Sequence, residues 1–458
     1  MDFIKLAKEK TNEYLKDLES LVSIESTRDL STKTDNAPFG ENCRKALDTM
    51  LGLGQRDGFQ TKDIDGYAGV IEYGQQTQTL GILGHLDIVP VGEDWTKDPL
   101  TVTVDDGYVF GRGVVDDKGP ALAAYYALKI IKEQNIPLKR RVMLITGCDE
   151  ESGMECMDYY KKHAEIPNIG FVPDADFPVI YGEKGGLHVV LRSTDKTEIR
   201  SMHAGSRPNI VIGKADCTMD TITEKQKQEF AYYCKSHGLT GSIEDTTFHI
   251  DGVFAHAATP WLGENAALHL LNFVGSSYDD TLAQELYKIL KDWQGKPLGI
   301  YKQGLYMGFL TMNTGIIDIE DNETKILIDI RYPNDMNAQE IMEQFDLHCK
   351  TLNSHVVPQM ESDSVPLFVD PQSNLVKELM RVYQKYTNDT FSCAYTLGGG
   401  TYARKFENFV SFGPEFPNDE KTTDQFVGSC HQRDEGIKLE SLILSIAIYA
   451  EAIVSLCS

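Results

Sequence analysis

The sequence has few basic residues for its length. Among its 458 residues, 44 are Lys or Arg and 69 are Asp or Glu, which gives a formal net charge of −25. A chain with this excess of carboxylates is not expected to bind the phosphates of nucleic acids or an anionic membrane surface. An acidic surface instead favours solubility and attracts cations. We therefore expect neither a nucleic-acid partner nor a membrane partner.

Long apolar segments and paired cysteines are also missing. No stretch reaches about 18 uncharged apolar residues, and the segment that comes nearest, 442–457, contains Glu451 and is typical of a buried terminal helix. Segment 1–21 has the spacing of an amphipathic helix and lacks the features of a signal peptide. The nine cysteines are an odd number without a CxxC pair, which favours free thiols in a reducing compartment. We expect a cytoplasmic protein.

Several common catalytic motifs are absent. The chain contains no GxxxxGK[ST], no GxGxxG after a strand, no HExxH and no GxSxG. These absences exclude the usual signatures of P-loop, dinucleotide-binding, zincin and α/β-hydrolase proteins. The three glycines at 398–400 precede a helical pattern and could bind an anion through their amides, but a closely packed turn explains them equally well.

The first third of the chain alternates strand and helix patterns. Short apolar runs at 79–83, 141–146 and 169–172 predict strands, and 119–132 predicts a helix between the first two. This alternation is typical of an α/β layer with a largely parallel sheet. In open sheets of this kind, ligands bind beyond the carboxyl ends of the strands.

The pattern changes in the middle of the chain and then returns. Residues 185–365 mix strands, helices and hairpins, which predicts a separate α+β unit. A strand pattern at 409–412 and a last helix pattern at 435–456 resume the α/β character. We therefore predict a catalytic α/β domain formed by residues 1–184 and 366–458, with the second domain inserted between them.

Acidic and histidine side chains follow the ends of several predicted strands. They are His85 and Asp87 in GILGHLDIVP, Asp116 in GRGVVDDKGP, Glu150 and Glu151 in TGCDEESG, Asp174 in FVPDADFP, and His431 in GSCHQRDEG. Each alone has an ordinary structural explanation, such as a packed histidine or a solvated turn. Together, two histidines and several carboxylates in one domain suit Zn²⁺, Mn²⁺ or Co²⁺. They exceed the needs of one tetrahedral zinc, so two metals that share a carboxylate are the simpler interpretation.

In this order, the motifs resemble those of the M20 family of metallopeptidases. The segments GHLDIVPVGEDW, GRGVVDDKGP, GCDEESG and PDAD and the late histidine match the family pattern in both halves of the chain. The stretches DDKGPALAAYYALKI, FVPDADFPVIYGEKG and TLGGGTYAR are similar to its bacterial dipeptidase branch, the PepV-like or Sapep-like dipeptidases.

The resemblance implies two divalent metal ions as cofactors. His85, Asp116 and Asp174 would hold one metal, and Asp116, Glu151 and His431 would hold the other, with Asp116 bridging them. Zn²⁺ or Mn²⁺ is expected, with Co²⁺ as a further candidate.

The resemblance also implies the roles of the neighbouring acids. Asp87 would orient His85, and Glu150 would act as general base and then general acid on a water activated between the metals. A cis peptide bond is expected between Asp116 and Asp117.

The inserted domain would be the lid of this family, built on a ferredoxin-like sheet. By position, His256 in FAHAATP matches the lid histidine that stabilises the oxyanion, and Arg331 in DIRYP matches a residue that holds the carboxyl end of the peptide. Asn209 in SRPNIVIG matches a second such residue, although relatives tend to have a proline soon after it. Gly399 or Gly400 would offer backbone amides to the terminal carboxylate.

These roles predict a metallodipeptidase, with a small peptide as its partner. An N-acyl-amino-acid amidohydrolase or desuccinylase of the same family is the alternative, since it has the same ligands. A non-catalytic binding protein is a third interpretation, against which the intact Glu150 argues. Asp176 is a candidate partner for a free substrate amine. The chain is expected to be a monomer or a homodimer, and the preferred side chains stay open.

Overall fold

The structure, a computed structural model, describes residues 1–417 and 419–458. They form two compact units. The first unit contains residues 1–182, 369–395 and 400–458, and the second contains residues 183–368 and 396–399. The short segment 396–399 thus belongs to the second unit, although the sequence pattern assigned it to the α/β part of the chain.

The described residues contain eleven α-helices. They are α1 (Phe3–Glu9), α2 (Thr11–Val22), α3 (Glu41–Arg56), α4 (Lys118–Glu133), α5 (Glu155–His163), α6 (Glu224–His237), α7 (Ala266–Ser277), α8 (Thr281–Leu290), α9 (Ala338–Cys349), α10 (Asn374–Thr387) and α11 (Leu439–Leu456).

The same residues contain twenty-four strands. They are β1 (Gln60–Ile64), β2 (Ala68–Tyr73), β3 (Thr79–His85), β4 (Thr103–Asp105), β5 (Tyr108–Phe110), β6 (Arg141–Gly147), β7 (Ile169–Val172), β8 (Ala175–Asp176), β9 (Ile180–Glu183), β10 (Gly185–Ser193), β11 (Ile199–Ala204), β12 (Lys214–Met219), β13 (Thr240–Glu244), β14 (Thr247–Asp251), β15 (Gln303–Gly304), β16 (Gly308–Phe309), β17 (Thr311–Glu320), β18 (Glu323–Tyr332), β19 (Val357–Ser364), β20 (Leu367–Phe368), β21 (Tyr395–Leu397), β22 (Phe409–Ser411), β23 (Pro414–Glu415) and β24 (Gly436–Lys438).

The central sheet of the first unit is mixed, with a parallel middle. Its strands lie in the order β1-β2-β6-β3-β7-β22-β9. The pairs β6–β3, β3–β7 and β7–β22 are parallel, whereas β1–β2, β2–β6 and β22–β9 are antiparallel. Every residue of β3 is buried, as expected for a strand covered on both faces. The predicted α/β fold with a mixed sheet is confirmed, and its parallel pairs are confined to the middle of the sheet.

The parallel middle explains where the site lies. Strands β6, β3 and β7 are neighbours and run in one direction, so their carboxyl ends reach the same edge of the sheet. The chain leaves that edge at His85, Gly147 and Val172. Helix α4 packs against β3 and β6, and its apolar residues are almost all buried.

A small second sheet of the first unit joins distant parts of the chain. Its order is β24-β5-β4, and Gly436 pairs with Phe110. The predicted helix at 435–456 is therefore wrong in its first turn, because residues 436–438 form a strand on β5 and α11 begins at Leu439.

Helix α11 is the buried terminal helix that the sequence predicts. In the part of the chain that the structure describes, it alone has the length and apolar composition to cross a membrane. However, 61% of it is buried inside the protein, as in the core helix of a soluble domain.

The second unit is an α+β structure with an antiparallel sheet. Its strands lie in the order β13-β14-β12-β11-β17-β18-β10-β19, and each neighbouring pair is antiparallel. Apolar side chains from this sheet and from α6, α7, α8 and α9 form the hydrophobic core of the unit. The ferredoxin-like topology and the lid role stay predictions.

Candidate metal centre and active site

Two histidines from distant parts of the first unit meet at one carboxylate. The Nε2 atom of His85 lies 2.8 Å from Oδ1 of Asp116, and the Nε2 atom of His431 lies 2.9 Å from Oδ2. His85 is fully buried at the end of β3, whereas the side chain of His431 is 47% exposed. Each oxygen of Asp116 thus faces a different imidazole.

The carboxylates of Asp174 and Glu151 complete two groups of metal-type ligands. The first ligand group is His85, Asp116 and Asp174, and the second is Asp116, Glu151 and His431. In each group the ligand atoms all lie within 4.8 Å of one another. Imidazole and carboxylate donors suit zinc, manganese and cobalt ions. The residues present therefore fit two divalent ions that share Asp116.

Burial and neighbouring charges shift the pKa values of several of these ligands. Burial raises the pKa of Asp174, and the nearby charge of Asp116 raises it further. Burial also raises the pKa of Glu151. Hydrogen bonds to Asp116 and Glu151 raise the pKa of His431 to about 10. A divalent cation would remove the same repulsion between the carboxylates.

The ring of His85 is oriented by the backbone of Asp87. Its Nδ1 atom lies 2.9 Å from the carbonyl oxygen of Asp87 and 3.5 Å from the carboxylate. When Nδ1–H donates to this carbonyl, Nε2 is left as the atom that can bind a metal. Asp87 therefore orients the ring of His85 through its main-chain carbonyl oxygen, which is closer to Nδ1 than its carboxylate is.

The carboxylate of Asp87 instead holds the turn that carries the two glutamates. It is 1% exposed and accepts hydrogen bonds from the amides of Glu150 and Glu151, both at 3.1 Å. Asp87 thus joins the segment after β3 to the segment after β6. The sequence motifs gave no sign of this contact, because the partners are backbone atoms.

Glu150 lies beside the second ligand group. Burial raises its pKa to about 8, and the charges of Glu151 and Asp116 act in the same direction, whereas His85 opposes them. A carboxyl group with a pKa near neutrality can both accept and donate a proton at physiological pH.

Asp117 supports His85 through its backbone amide. The Asp116–Asp117 peptide bond is cis. The Asp117 side chain is fully buried and accepts a hydrogen bond from the backbone amide of His85 at 2.9 Å. A Cβ atom at Gly84 would lie 2.8 Å from this carboxylate, so the glycine makes room for the contact.

Sequence reasoning also missed Arg112 and Glu435, a buried ion pair with an Nη1–Oε2 distance of 2.6 Å. Glu435 follows His431 by four residues in a segment whose pattern predicted a helix. The position of Glu435 close to the candidate ligand His431 was the signal that the sequence offered. Its partner Arg112 is more than 300 residues away in the chain, so the pair could not be predicted.

The remaining predicted residues lie mostly in the second unit. The amide of Ala257 donates to the carbonyl of Asn209 at 2.9 Å, and a β-bridge pairs Ile210 with His256. Asn209 and His256 are therefore close, and the His256 side chain is exposed.

Arg331 lies elsewhere in the second unit, on β18. It binds both carboxylate oxygens of the fully buried Asp329 at 2.7 Å. Gly399 belongs to the second unit and Gly400 to the first. The candidate Asp176, in the first unit, accepts a hydrogen bond from the Tyr395 hydroxyl at 2.7 Å.

Comparison with known proteins places the chain in a family. The sequence model of peptidase family M20/M25/M40 matches residues 81–455. A Staphylococcus haemolyticus protein that carries the name dipeptidase is 36% identical over 475 residues, which are 98% of this chain and 99% of that protein. A Staphylococcus epidermidis protein with the same name is 36% identical over 469 residues, 98% of each chain.

Solved structures with low sequence identity share the fold. Human carnosine dipeptidase 1 matches with a TM-score of 0.58 at 15% identity and covers 99% of both chains. The dipeptidase Dug1p from Saccharomyces cerevisiae matches with a TM-score of 0.59 at 14% identity, over 99% of this chain and 97% of that one. A Staphylococcus aureus tripeptidase gives 0.57 at 16% identity over 98% of both chains.

Proposed function

Because this chain belongs to peptidase family M20/M25/M40, we propose that it is a dipeptidase that uses two divalent metal ions and Glu150. The family and its relatives make it a peptide hydrolase of the metallopeptidase type that acts on small peptides. The observation that carries the proposal is Asp116, which lies between two histidines and belongs to both ligand groups.

The two ligand groups would hold the metals, with Zn²⁺ or Mn²⁺ as the expected ions and Co²⁺ as a substitute. Bound there, divalent cations lower the pKa of a water molecule and polarise a carbonyl group. Asp87 keeps the Nε2 atom of His85 available through its carbonyl, and its carboxylate fixes the amide of Glu151. These contacts set the ligands before a metal arrives.

Glu150 would transfer the proton of the reaction. Its carboxylate takes a proton from the water that attacks the scissile carbonyl and then donates it to the leaving amine. The partial burial of the residue and its raised pKa support this role, because a carboxyl group that releases its proton near neutrality can serve both steps.

Residues of the second unit would bind the substrate. His256 would donate a hydrogen bond to the oxyanion, and its exposed side chain is accessible to a ligand. Arg331 would bind the substrate carboxylate, with Asn209 and the amides of Gly399 or Gly400 as further donors. The Nε and Nη2 atoms of Arg331 bind Asp329, which fixes the guanidinium in one orientation and leaves Nη1 for a ligand.

A cytoplasmic location is part of the proposal. All nine cysteines, none of which lies in a disulfide, are free thiols in the described residues. This agrees with a reducing compartment.

The first experiment compares three substrate classes on the purified chain. Free dipeptides, tripeptides and N-acyl amino acids are each assayed with Mn²⁺ and with Zn²⁺ after removal of metals by a chelator. We expect no hydrolysis without metal and the highest kcat/KM with free dipeptides. Preference for N-acyl amino acids would instead assign the chain to the amidohydrolases of the family.

The second experiment tests Glu150. Glu150→Gln should lower kcat by at least about 10²-fold, because an amide cannot exchange the proton, and the bound metal should stay unchanged. Glu155→Gln is the matched control, since Glu155 is exposed at the start of α5. A near-normal rate in Glu150→Gln would overturn the assignment of the base.

A further inference from the structure

A buried ion pair lies between the two chain segments that carry Asp116 and His431. The side chain of Arg112 is 2% exposed and that of Glu435 is fully buried, and they are 2.6 Å apart. A buried charge without its partner is strongly unfavourable, so each residue depends on the other.

Glu435 binds the segment that leads to Asp116. Its Oε1 atom accepts hydrogen bonds from the backbone amides of Gly113 at 3.0 Å, Val115 at 2.9 Å and Asp116 at 3.3 Å. The carboxylate thus holds this turn through three amides. Hydrogen bonds from amides to a charged acceptor are stronger than bonds between neutral groups.

Arg112 binds the segment that carries His431. Its Nη2 atom lies 3.5 Å from the carbonyl oxygen of His431 and 3.3 Å from that of Val91. The guanidinium also lies over the ring of Trp95, 5.0 Å from the ring centroid. Arg112 therefore has one fixed position, in which it faces both Glu435 and the backbone of His431.

We propose that Glu435 and Arg112 are positioning residues that set the distance between Asp116 and His431. They act on the second ligand group more than on the first, and the inference rests on the proposed metal centre. Two of the three side chains in the second group, Asp116 and His431, lie on segments that the pair holds.

The first ligand group depends less on this pair. His85 is held by the carbonyl of Asp87 and by the carboxylate of Asp117, and Asp174 follows β7. Only Asp116 is common to the two groups. Loss of the pair should therefore weaken one metal site selectively.

The test measures metal binding to the full chain. Mn²⁺ is titrated by calorimetry into chelator-treated Glu435→Gln, which keeps the side-chain volume and one acceptor oxygen but loses the charge opposite Arg112. Replacement of a residue that holds a metal ligand in place typically lowers the metal affinity by about 10–100-fold. We expect a loss of about that size at one site and a change below about threefold at the other. Arg112→Lys keeps a cation and should lose less.

Asp17→Asn is the matched control. Asp17 is a buried carboxylate that accepts two hydrogen bonds from Arg56 at 2.8 Å and one from Tyr126 at 2.6 Å. None of these partners is a candidate ligand. The control should lose stability without a change in affinity at either metal site.

A kinetic measurement separates positioning from general destabilisation. The kcat of Glu435→Gln at limiting Mn²⁺ should be low and should recover with excess Mn²⁺, while KM stays unchanged because Arg331 binds the substrate carboxylate. Equal loss at both sites, or normal affinity at both, would overturn the inference. If wild-type protein binds two metals but hydrolyses no dipeptide, the proposed function fails while the binding test still decides the role of the pair.

Discussion

Replacement of Asp87 by alanine should affect both the stability of the first unit and its affinity for metal. The Asp87 carboxylate is buried and accepts the amides of Glu150 and Glu151, each at 3.1 Å. Alanine removes both acceptors and leaves two backbone donors without a partner.

The size of the effect follows from the number of donors lost. An unsatisfied buried donor costs about 1–3 kcal/mol, so two of them cost about 2–6 kcal/mol. The segment that contains Glu150 and Glu151 is only partly buried, and water can replace part of the lost bonding, so we expect a value near 2–3 kcal/mol. Loss of the hydrogen bond to its amide should also displace Glu151, a member of the second ligand group, and weaken metal binding by about 10–100-fold.

The assay follows unfolding of the metal-free chain in urea by the fluorescence of Trp95, with the tryptophans of the second unit replaced by phenylalanine. Asp98→Ala is the control, because the Asp98 carboxylate is exposed and accepts the amide of Leu100 at 2.9 Å. A surface change of this kind should cost about 0.5 kcal/mol or less. If Asp87→Ala unfolds at the same urea concentration as Asp98→Ala and binds metal normally, the argument is wrong.

Four further outcomes are expected. Glu151→Gln should weaken one metal site, seen as a change in the metal titration, whereas the other site should still bind; two unchanged sites would remove Glu151 from the ligands. His256→Ala should lower kcat by about 10²–10³-fold, as for other oxyanion donors, with normal metal content in elemental analysis. Arg331→Ala should mainly raise KM for dipeptides in steady-state kinetics, and a change confined to kcat would contradict a role in carboxylate binding. Although burial raises the pKa of Asp57, hydrogen bonds led by that from Arg56 hold it below its ordinary value. This contribution to stability is fully present above about pH 4 and is lost only as the pH falls through the lowered pKa of the folded state. The difference between the thermal melts of Asp57→Asn and wild type should therefore be largest at pH 7 and should shrink progressively below about pH 4.

The catalytic part of the fold could be predicted because its strands are continuous apolar runs. The patterns at 79–83, 141–146 and 169–172 correspond to β3, β6 and β7, which lie side by side in the sheet. Parallel strands bring their carboxyl ends to one edge, so acids and histidines after these strands were expected to meet.

The sequence could not reveal contacts that depend on distant partners. Residues 436–438 are included in the predicted helix 435–456, but pairing with β5 makes them a strand, and the helix begins only at Leu439. Glu435 instead forms a parallel β-bridge with Gly428 just before β24, and its carboxylate reaches Arg112 and the amides of the segment that leads to Asp116. Tertiary pairing overrides local preference here, and a single sequence contains no signal for it.

The roles of the second unit depended on the resemblance alone. Local pattern predicts an exposed turn around His256, and its side chain is indeed exposed. No property of that turn distinguishes an oxyanion donor from a surface histidine. The roles of His256, Asn209 and Arg331 therefore stay predictions until the variants are measured.

The directions of the pKa shifts within the centre support a cation site. In an ordinary salt bridge the pKa of the acid falls while that of the base rises. Here the histidines follow that rule, since the pKa of His85 is raised well above its ordinary value although burial opposes it, and that of His431 is also raised. The acids Asp174, Glu150 and Glu151 do the reverse, because burial and their mutual repulsion exceed the effect of the two imidazoles. Burial and neighbouring negative charge thus oppose the ionisation of these three acids, whereas the pKa of Asp116, which faces both imidazoles, is lowered. Divalent ions held by the two ligand groups would favour the ionised carboxylates, which agrees with the proposed metal centre.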